Sequence, residues 1–402
     1  MKQPLTIANA TILTITLLVI NGFGWNKKIQ VKWKDGVHLE TENKTAWLKL
    51  GGRIHYDGAT MSQDSGIRQS FGALEDGTEP RRARIYISGL IHEQMEFKVQ
   101  YDFAGDTTKF QDVYLGLTGI PYLGKIRVGH MKEPFSLEDM TSSNNITFLE
   151  RALPNAFAPS RNTGVLISNH AKKKMSWSMG VFRNTNDLGV GQRDGEFNFT
   201  GRFTGMPLHR EKGRKLVHVG LSYSYRRPSE PSFRYRQRPE AHLAPRFVDT
   251  GTLIRQSGDL VGPEFALVYG PASIQAEYIR AGLNTNEPNA NSNFHGYYAQ
   301  TSYFLTGEKR NYRASGGQFR GIKPNKNFNI HNRGLGAWEV GIRHSVLNLN
   351  HSPVSGGRLS SITAGINWYL NPNARVMANY INAHQHSKGK ANILQVRMQL
   401  NF

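Results

Sequence analysis

From Trp47 onward, apolar and polar residues exchange places at nearly every step of the chain. Between Trp47 and Thr60, Leu48, Leu50, Ile54 and Tyr56 share one face, and Lys49, Arg53 and His55 the other. In Arg81–Ile91, Ala83, Ile85, Ile87 and Ile91 oppose Arg82, Arg84, Tyr86 and Ser88. Phe97, Val99 and Tyr101 alternate with Lys98 and Gln100, Val113, Leu115 and Leu117 with Asp112 and Tyr114, and Ile126 and Val128 with Lys125 and Arg127. Side chains alternate sides along a strand, so this period predicts half-apolar strands rather than helices. It continues through Thr163–Asn169, Met175–Arg183, Phe197–Met206, Lys215–Arg226, Val261–Tyr269, Ala272–Arg280, Phe294–Leu305, Ala337–Leu347, Arg358–Leu370, Ala374–His384 and Ala391–Phe402, sixteen strands in all. Most have about the 9–11 residues that a tilted strand needs to cross a bilayer.

The connections separate into two kinds. His92–Gln94, Thr118–Leu123, His170–Lys174, Leu208–Arg214, Pro271 and Asn371–Asn373 are short, and they fall on every second connection. Met61–Pro80, Lys132–Asn162 and Arg227–Leu260, on the other side, are long. Short periplasmic turns and long external loops are the arrangement of outer-membrane barrels. Thr306–Gly336 breaks the rule, being long on the short side; it either hides two strands or folds inward. The expected fold is therefore all-β, a 16-stranded antiparallel transmembrane β-barrel, porin-like, with inward-folded loops. In a soluble sandwich the apolar faces would meet in a core; in a barrel they face lipid and the polar faces line an aqueous lumen.

Composition narrows this further. The 402 residues include no cysteine, which excludes disulfides and thiolate metal sites. Only 38% are hydrophobic, low for a large buried core. The apolar run from Thr11 to Ile20 is too short to span a bilayer as a helix. With Lys2 before it, it reads as the core of a signal peptide over residues 1–24, followed by an N-terminal periplasmic segment at 25–46 and the barrel at 47–402. The net charge of +20 admits nucleic acid, an anionic membrane surface or small anions as partners. No nucleic-acid-binding module is visible, and the basic residues spread over alternate strand positions. His384 and His386 lack a third ligand, so neither a metal nor any other cofactor is expected.

On a barrel, Lys49, Arg53, Arg82, Arg84, Lys98, Lys125, Arg127 and Arg397 face the lumen. Arg234, Arg236 and Arg238, at every second position, would stand in a row about 7 Å apart on an extended segment. Like charges so placed repel, and an anion is the simplest reason to hold them together. Arg246 and Arg255 follow in the same long loop. Glu138, Asp139, Glu150 and Arg151 occupy the loop after the fifth strand, where a constriction is expected. In the last strand Leu394, Val396, Met398, Leu400 and Phe402 alternate with polar residues, and Phe402 has the position of a barrel-assembly signal.

Short stretches along the chain resemble the phosphate-selective porins of Gram-negative outer membranes. They include Leu-Lys-Leu-Gly-Gly-Arg at 48–53, Arg81-Arg82-Ala83, Thr-Ser-Ser followed by Phe-Leu-Glu-Arg within 141–151, Val-His-Val-Gly-Leu-Ser-Tyr-Ser-Tyr-Arg at 217–226, and the row Arg234-x-Arg236-x-Arg238. Gly-Tyr-Tyr-Ala-Gln at 296–300, Leu-Thr-Gly-Glu at 305–308, Ile-Lys-Pro at 322–324, Gly-Ala-Trp-Glu at 336–339 and Gly-Ile-Asn-Trp-Tyr at 365–369 continue the series. The resemblance implies a homotrimeric channel in the bacterial outer membrane, in contact with lipid and lipopolysaccharide, that passes phosphate or related inorganic anions. It places Arg234, Arg236 and Arg238 on an anion-path ladder and Arg81, Arg82 and Arg151 at the constriction; Arg246 is expected to join the ladder and Arg84 the constriction. It also implies that the 306–336 connection folds into the lumen. Three positions depart from the phosphate-binding pattern: Asp139 and Asn144 where it has lysines, and Arg84 where it has tyrosine. A general or organic-solute channel without phosphate specificity is the alternative.

Overall fold

A computed structural model describes residues 29–402 apart from 34–35, 172–173, 193–194, 230–231 and 286–290. The expected signal peptide at residues 1–24 lies outside the described residues. Sixteen long strands form the wall. They are β1 (Trp47–Gln63), β2 (Gly77–Ile91), β3 (Met95–Asp102), β4 (Lys109–Ile120), β5 (Gly124–Lys132), β6 (Arg161–Ala171), β7 (Met175–Arg183) and β8 (Phe197–Arg210). The circuit continues with β9 (Lys215–Arg227), β10 (Ser257–Tyr269), β11 (Ala272–Asn284), β12 (Ser292–Phe304), β13 (Ala337–His351), β14 (Val354–Tyr369), β15 (Ala374–Gln385) and β16 (Gly389–Asn401).

Each strand pairs antiparallel with the next, and β16 closes on β1 in the register Ala391↔Gln63 to Asn401↔Arg53. Closure leaves no open edge in the wall, which is the condition for placing a sheet in hydrocarbon. The sixteen expected strands correspond one to one with the wall, but several run longer. β2 begins at Gly77 rather than Arg81, and β8 ends at Arg210 rather than Met206. Ladder hydrogen bonds carry strands past the point where apolar alternation stops. At the end of the barrel that carries the short turns, Ile29–Trp33 and Val37–Thr41 form a hairpin that pairs with the start of β1, Val37 opposite Leu50. Gly52 and Phe402 exchange backbone hydrogen bonds of 2.6 and 3.0 Å beside it.

The outward faces carry an apolar belt. Leu394, Val396, Met398 and Leu400 on β16, Ile362 and Ile366 on β14 and Phe199 and Phe203 on β8 are all exposed. A belt of this extent requires lipid around it.

The inward faces correct the expectation of a wholly polar lumen. Leu260, Ile279, Leu283, Phe294, Leu347, Leu359, Ile381 and Ile393 point inward from β10–β16 and are buried. They pack with Phe135, Leu153 and Phe157 of the loop after β5 and with Tyr235 and Phe247 of the loop after β9. Two external loops thus fill one side of the barrel with an apolar core, and the open path is confined to the side of β1–β8. The 306–336 connection also turns inward. It contains no wall strand; Asn311–Arg313 and Gln318–Arg320 form a small hairpin, and Phe319 buries against Leu137, Met206 and Leu216.

Val396 sits near the middle of β16 on the outer face. Val396→Arg should destabilise the barrel by about 2–4 kcal/mol, read as a lowered urea midpoint in liposomes.

Candidate functional site

The inner loop, residues 133–160, is pinned to the far wall at many points. The Glu277 carboxylate on β11 accepts the backbone N–H groups of Leu137 and Glu138, both at 2.8 Å, and the Tyr298 hydroxyl at 2.5 Å. Arg375 donates to Ile146 O at 2.9 Å, Asn367 to Thr147 O at 2.8 Å and Arg397 to Leu149 O at 2.6 Å. Buried arginines on the wall thus satisfy loop carbonyls that water cannot reach. The upper loop is anchored in the same manner. The Glu240 carboxylate takes Arg343 at 2.6 Å, Thr363 at 2.7 Å and the Ser345 hydroxyl.

What remains open is a set of three cavities in series. The upper one, about 340 Å³, is lined by Arg236, Arg238 and Arg246 together with Arg81, Arg82 and Arg151. Those last three residues also line the middle cavity of about 540 Å³, with Arg53, Arg84, Lys98, Lys132 and Arg161. Met140 and Gln318 line both the middle cavity and a lower one of about 570 Å³, which holds Lys125, Arg127 and Arg313. Gln318 comes from the inward-turned hairpin. That hairpin is held by Arg202 donating to Gly317 O at 2.7 Å and by Tyr312 hydrogen-bonded to His218 at 2.5 Å.

Two local irregularities aim side chains into the middle cavity. The β1–β2 register slips at His55/Tyr56, where His55 pairs Arg82 and Tyr56 pairs Pro80. This bulge lets the consecutive residues Arg81 and Arg82 both line the cavity, which regular alternation forbids. On β5, Gly129 has φ +137°, and a Cβ there would lie 2.3 Å from Val113 O. Below it Val128 is exposed on the outer face; above it His130 and Lys132 both line the cavity.

Most of the cations are partly neutralised. Arg81 makes a bidentate pair with Glu150, 2.9 and 3.0 Å, and Arg397 reaches Glu150 at 2.8 Å and Asp57 at 2.6 Å. Arg84 pairs Asp102 at 2.6 Å; Lys98 and Arg161 share Asp112 at 2.5 and 2.8 Å. Lys132 and Arg151 flank Asp139 at 3.3 and 3.5 Å. Burial alone would raise the Asp139 carboxyl, but these two cations outweigh it and hold it below the usual carboxylate range. Glu150 is held well below it in the same way, burial being outweighed by Arg81, Arg82 and Arg397. Glu138, by contrast, is pushed up to about 7 by burial, against the pull of Arg343. Arg53 has no carboxylate within ion-pair distance among the described residues; it donates to Ser142 and Ser143 at 3.2 and 2.9 Å. Arg82 approaches Glu150 only to 3.8 Å.

The residues singled out in the sequence are therefore not equivalent. Arg234 is tied to Asp249 at 2.9 and 2.6 Å and lines none of the three cavities. Of the three arginines in the row, Arg236 and Arg238 line the upper cavity, and the short pairing of Arg236–Gln237 with Val248–Asp249 brings an acid to Arg234. Arg397 is fully buried in its ion pairs, and Lys49 lies over the Tyr86 ring at 5.9 Å; neither lines the path. Lys132, Arg161, Gln111 and Gln318 line it but were not anticipated. A glycine breaking the β5 alternation was the one available signal, and it pointed to Lys132.

Residues 48–402 match the model of the family "Phosphate-selective porin O and P". The chain belongs to that family. It is 28% identical to Porin O of Pseudomonas aeruginosa over 394 residues, covering 88% of this chain and 87% of that protein. It is also 28% identical to a protein of Caulobacter vibrioides over 365 residues, 87% and 71% of the two chains. Among solved structures, the anion-selective porin of Comamonas acidovorans superposes with a TM-score of 0.56 at 12% identity, over 89% of this chain and all of that one. OmpT of Vibrio cholerae gives 0.56 at 10% identity, over 89% and 98%. These structures share the fold, and this member of the family is a barrel of the outer membrane. Porins are channels, and the geometry above is that of a narrowed channel.

Removing the Glu277 anchor tests how the channel is narrowed. Glu277→Ala deletes three hydrogen bonds to one buried acceptor and should cost about 2–3 kcal/mol. Faster hydrogen exchange at the Leu137 and Glu138 amides, with a lowered urea midpoint, is the expected result.

Proposed function

We propose that the protein conducts anions passively across the outer membrane, taking phosphate or a related inorganic anion along a graded series of cations. The observation that carries this reading is the lining of the middle cavity. Arg53, Arg81, Arg82, Arg84, Lys98, Lys132, Arg151 and Arg161 meet there with only Asp112, Asp139 and Asp187 as carboxylates in the lining. An opposite charge at 4 Å is worth about 1 kcal/mol in water and about 4 kcal/mol at an effective dielectric near 20. A half-enclosed lumen lies between these limits, so anions are favoured at every level and cations opposed.

Conduction also requires that no one site hold the ion too tightly. Partial neutralisation of the wall cations by Asp102, Asp112, Asp139 and Glu150 serves that need. The exposed Arg236, with Arg238 and Arg246, forms the upper ladder; Arg81, Arg82, Arg84 and Arg151, joined by Arg53, form the constriction; and Lys125 and Arg127 form the exit. The reading includes a homotrimer embedded in lipid and lipopolysaccharide, with Phe402 as the assembly signal. Membership of the family and the outward apolar belt support it.

Reversal potentials in a potassium chloride gradient across planar bilayers test the proposal; a pore preferring potassium would overturn it. Arg82→Gln should weaken phosphate block of the chloride current about tenfold, the equivalent of one charged hydrogen bond. Arg234→Gln should leave the block nearly unchanged, since Asp249 already neutralises that arginine.

A further inference from the structure

The first half of the 306–336 connection turns into the barrel, but its second half comes back out to the rim. Phe328 packs edge-on against Trp368, ring centroids 4.9 Å apart, and its backbone N–H donates to Leu370 O at 2.6 Å. Trp368 in turn stacks on Trp338 at 5.2 Å. These two tryptophans pair across β13 and β14, two residues from the pair Val340↔Ile366, whose Ile366 is exposed to lipid. Tyr303, opposite Val340 on β12, is exposed beside them. They form an aromatic girdle at the end of the barrel that carries the short turns, the end that faces the periplasm in outer-membrane barrels.

The returning loop is held as a closed tip. Asn329 and Gly334 exchange backbone hydrogen bonds of 3.0 Å, and Asn329 Oδ1 accepts the His331 and Asn332 N–H groups at 2.9 and 3.0 Å. Leu335 O accepts the indole N–H of Trp338 at 3.2 Å and of Trp368 at 2.9 Å. Girdle tryptophans ordinarily offer that N–H to headgroups or water; here the loop takes both, so it stands at headgroup level. On this fixed frame Ile330 is 79% exposed, Leu335 67% and Phe328 39%. Single exposed apolar residues are ordinary, but three held together beside the lipid belt mark a contact surface. The charge is one-sided: from Lys309 to Trp338 there are seven lysines and arginines and no acid. Lys323, Lys326 and Arg333 are exposed, with no carboxylate within ion-pair distance among the described residues.

We infer that residues 323–336 form a foot on the periplasmic leaflet, with Ile330 and Leu335 inserted among acyl chains and Lys323, Lys326 and Arg333 on the phosphates of anionic phospholipid. Apolar and cationic side chains interleaved on one interfacial element have this chemistry. The occupant follows from continuity: the belt above the loop already requires lipid, and the loop extends that surface past the girdle. A bare cationic patch would suit an acidic protein equally well, but the protruding isoleucine and leucine favour a leaflet. The inference concerns how the barrel is seated in the membrane and is independent of which ion the channel passes.

The chain has no cysteine, so Ile330→Cys can carry a single environment-sensitive fluorophore. The labelled full chain is placed in vesicles of phosphatidylcholine and phosphatidylglycerol. Its emission is then quenched separately by aqueous acrylamide and by each phospholipid spin-labelled near the top of its acyl chain. The lipid quenchers should reach the label and acrylamide should not, with phosphatidylglycerol enriched over phosphatidylcholine around it. Adding Lys326→Gln should lower that enrichment about fivefold, the equivalent of one charge beside an anionic surface. Asn332→Cys, exposed on the same tip, gives the same readout with Ile330 kept and decides the matter if the first variant fails to assemble. A label open to acrylamide overturns the inference. So does a label shielded from acrylamide but reached by neither lipid, the result expected if a second copy or another protein covered the loop. Equal quenching by the two lipids, unchanged by Lys326→Gln, overturns the assignment to anionic phospholipid.

Discussion

The Arg397 guanidinium ties the structure together. It stands on the last wall strand, grips Asp57 on the first through two 2.6 Å contacts, and reaches Glu150 and the Leu149 carbonyl on the inner loop. Glu150 in turn is held by Arg81 on the second strand. One buried network therefore joins the closing seam of the barrel, the loop that narrows it and the wall of the cavity. Its parts are interdependent, because removing one partner leaves another charge buried and unpaired, a loss of about 3–5 kcal/mol. The fully buried Arg343 and Arg375 repeat the device along β13 and β15. Each converts a wall position into a clamp on loop carbonyls or carboxylates.

This division of labour explains how a chain with +20 charge builds a stable lumen. Arg343, Arg375 and Arg397 on β13, β15 and β16 are consumed in holding the loops, and apolar residues beside them complete an interior core. Arg81, Arg84, Lys98, Lys125, Arg127, Lys132 and Arg161 on β2–β6 remain near the path with an acid beside each, whereas Arg53 on β1 is held by Ser142 and Ser143. The acids fix where the guanidiniums stand and temper their field, which suits passage better than a set of bare charges would. The bulge at Arg81/Arg82 and the positive φ of Gly129 set the final aim of four side chains in the cavity wall, in keeping with the placement of such irregularities beside functional sites.

The wall was legible because the physics that makes a strand cross lipid is local. Alternation at period two, spans of about ten residues and the contrast between short and long connections are all written in adjacent residues. The path was less so. Arg81, Arg82 and Arg151 could be named through resemblance, but nothing local distinguishes Arg82, nearly free of acid, from Arg397, fully engaged by it. Arg234 and Arg236 read alike in the chain, yet Asp249, fifteen residues beyond Arg234, neutralises one and not the other.

The sequence by itself therefore determined the sixteen-stranded barrel, its inward basic faces and its resemblance to phosphate-selective porins. The tertiary structure alone decided which cations stay available, which side of the lumen is open, and what Asp139 faces. The reason is range: strand alternation depends on neighbours in the chain, whereas charge in a low-dielectric wall depends on partners drawn from strands and loops tens to hundreds of residues apart.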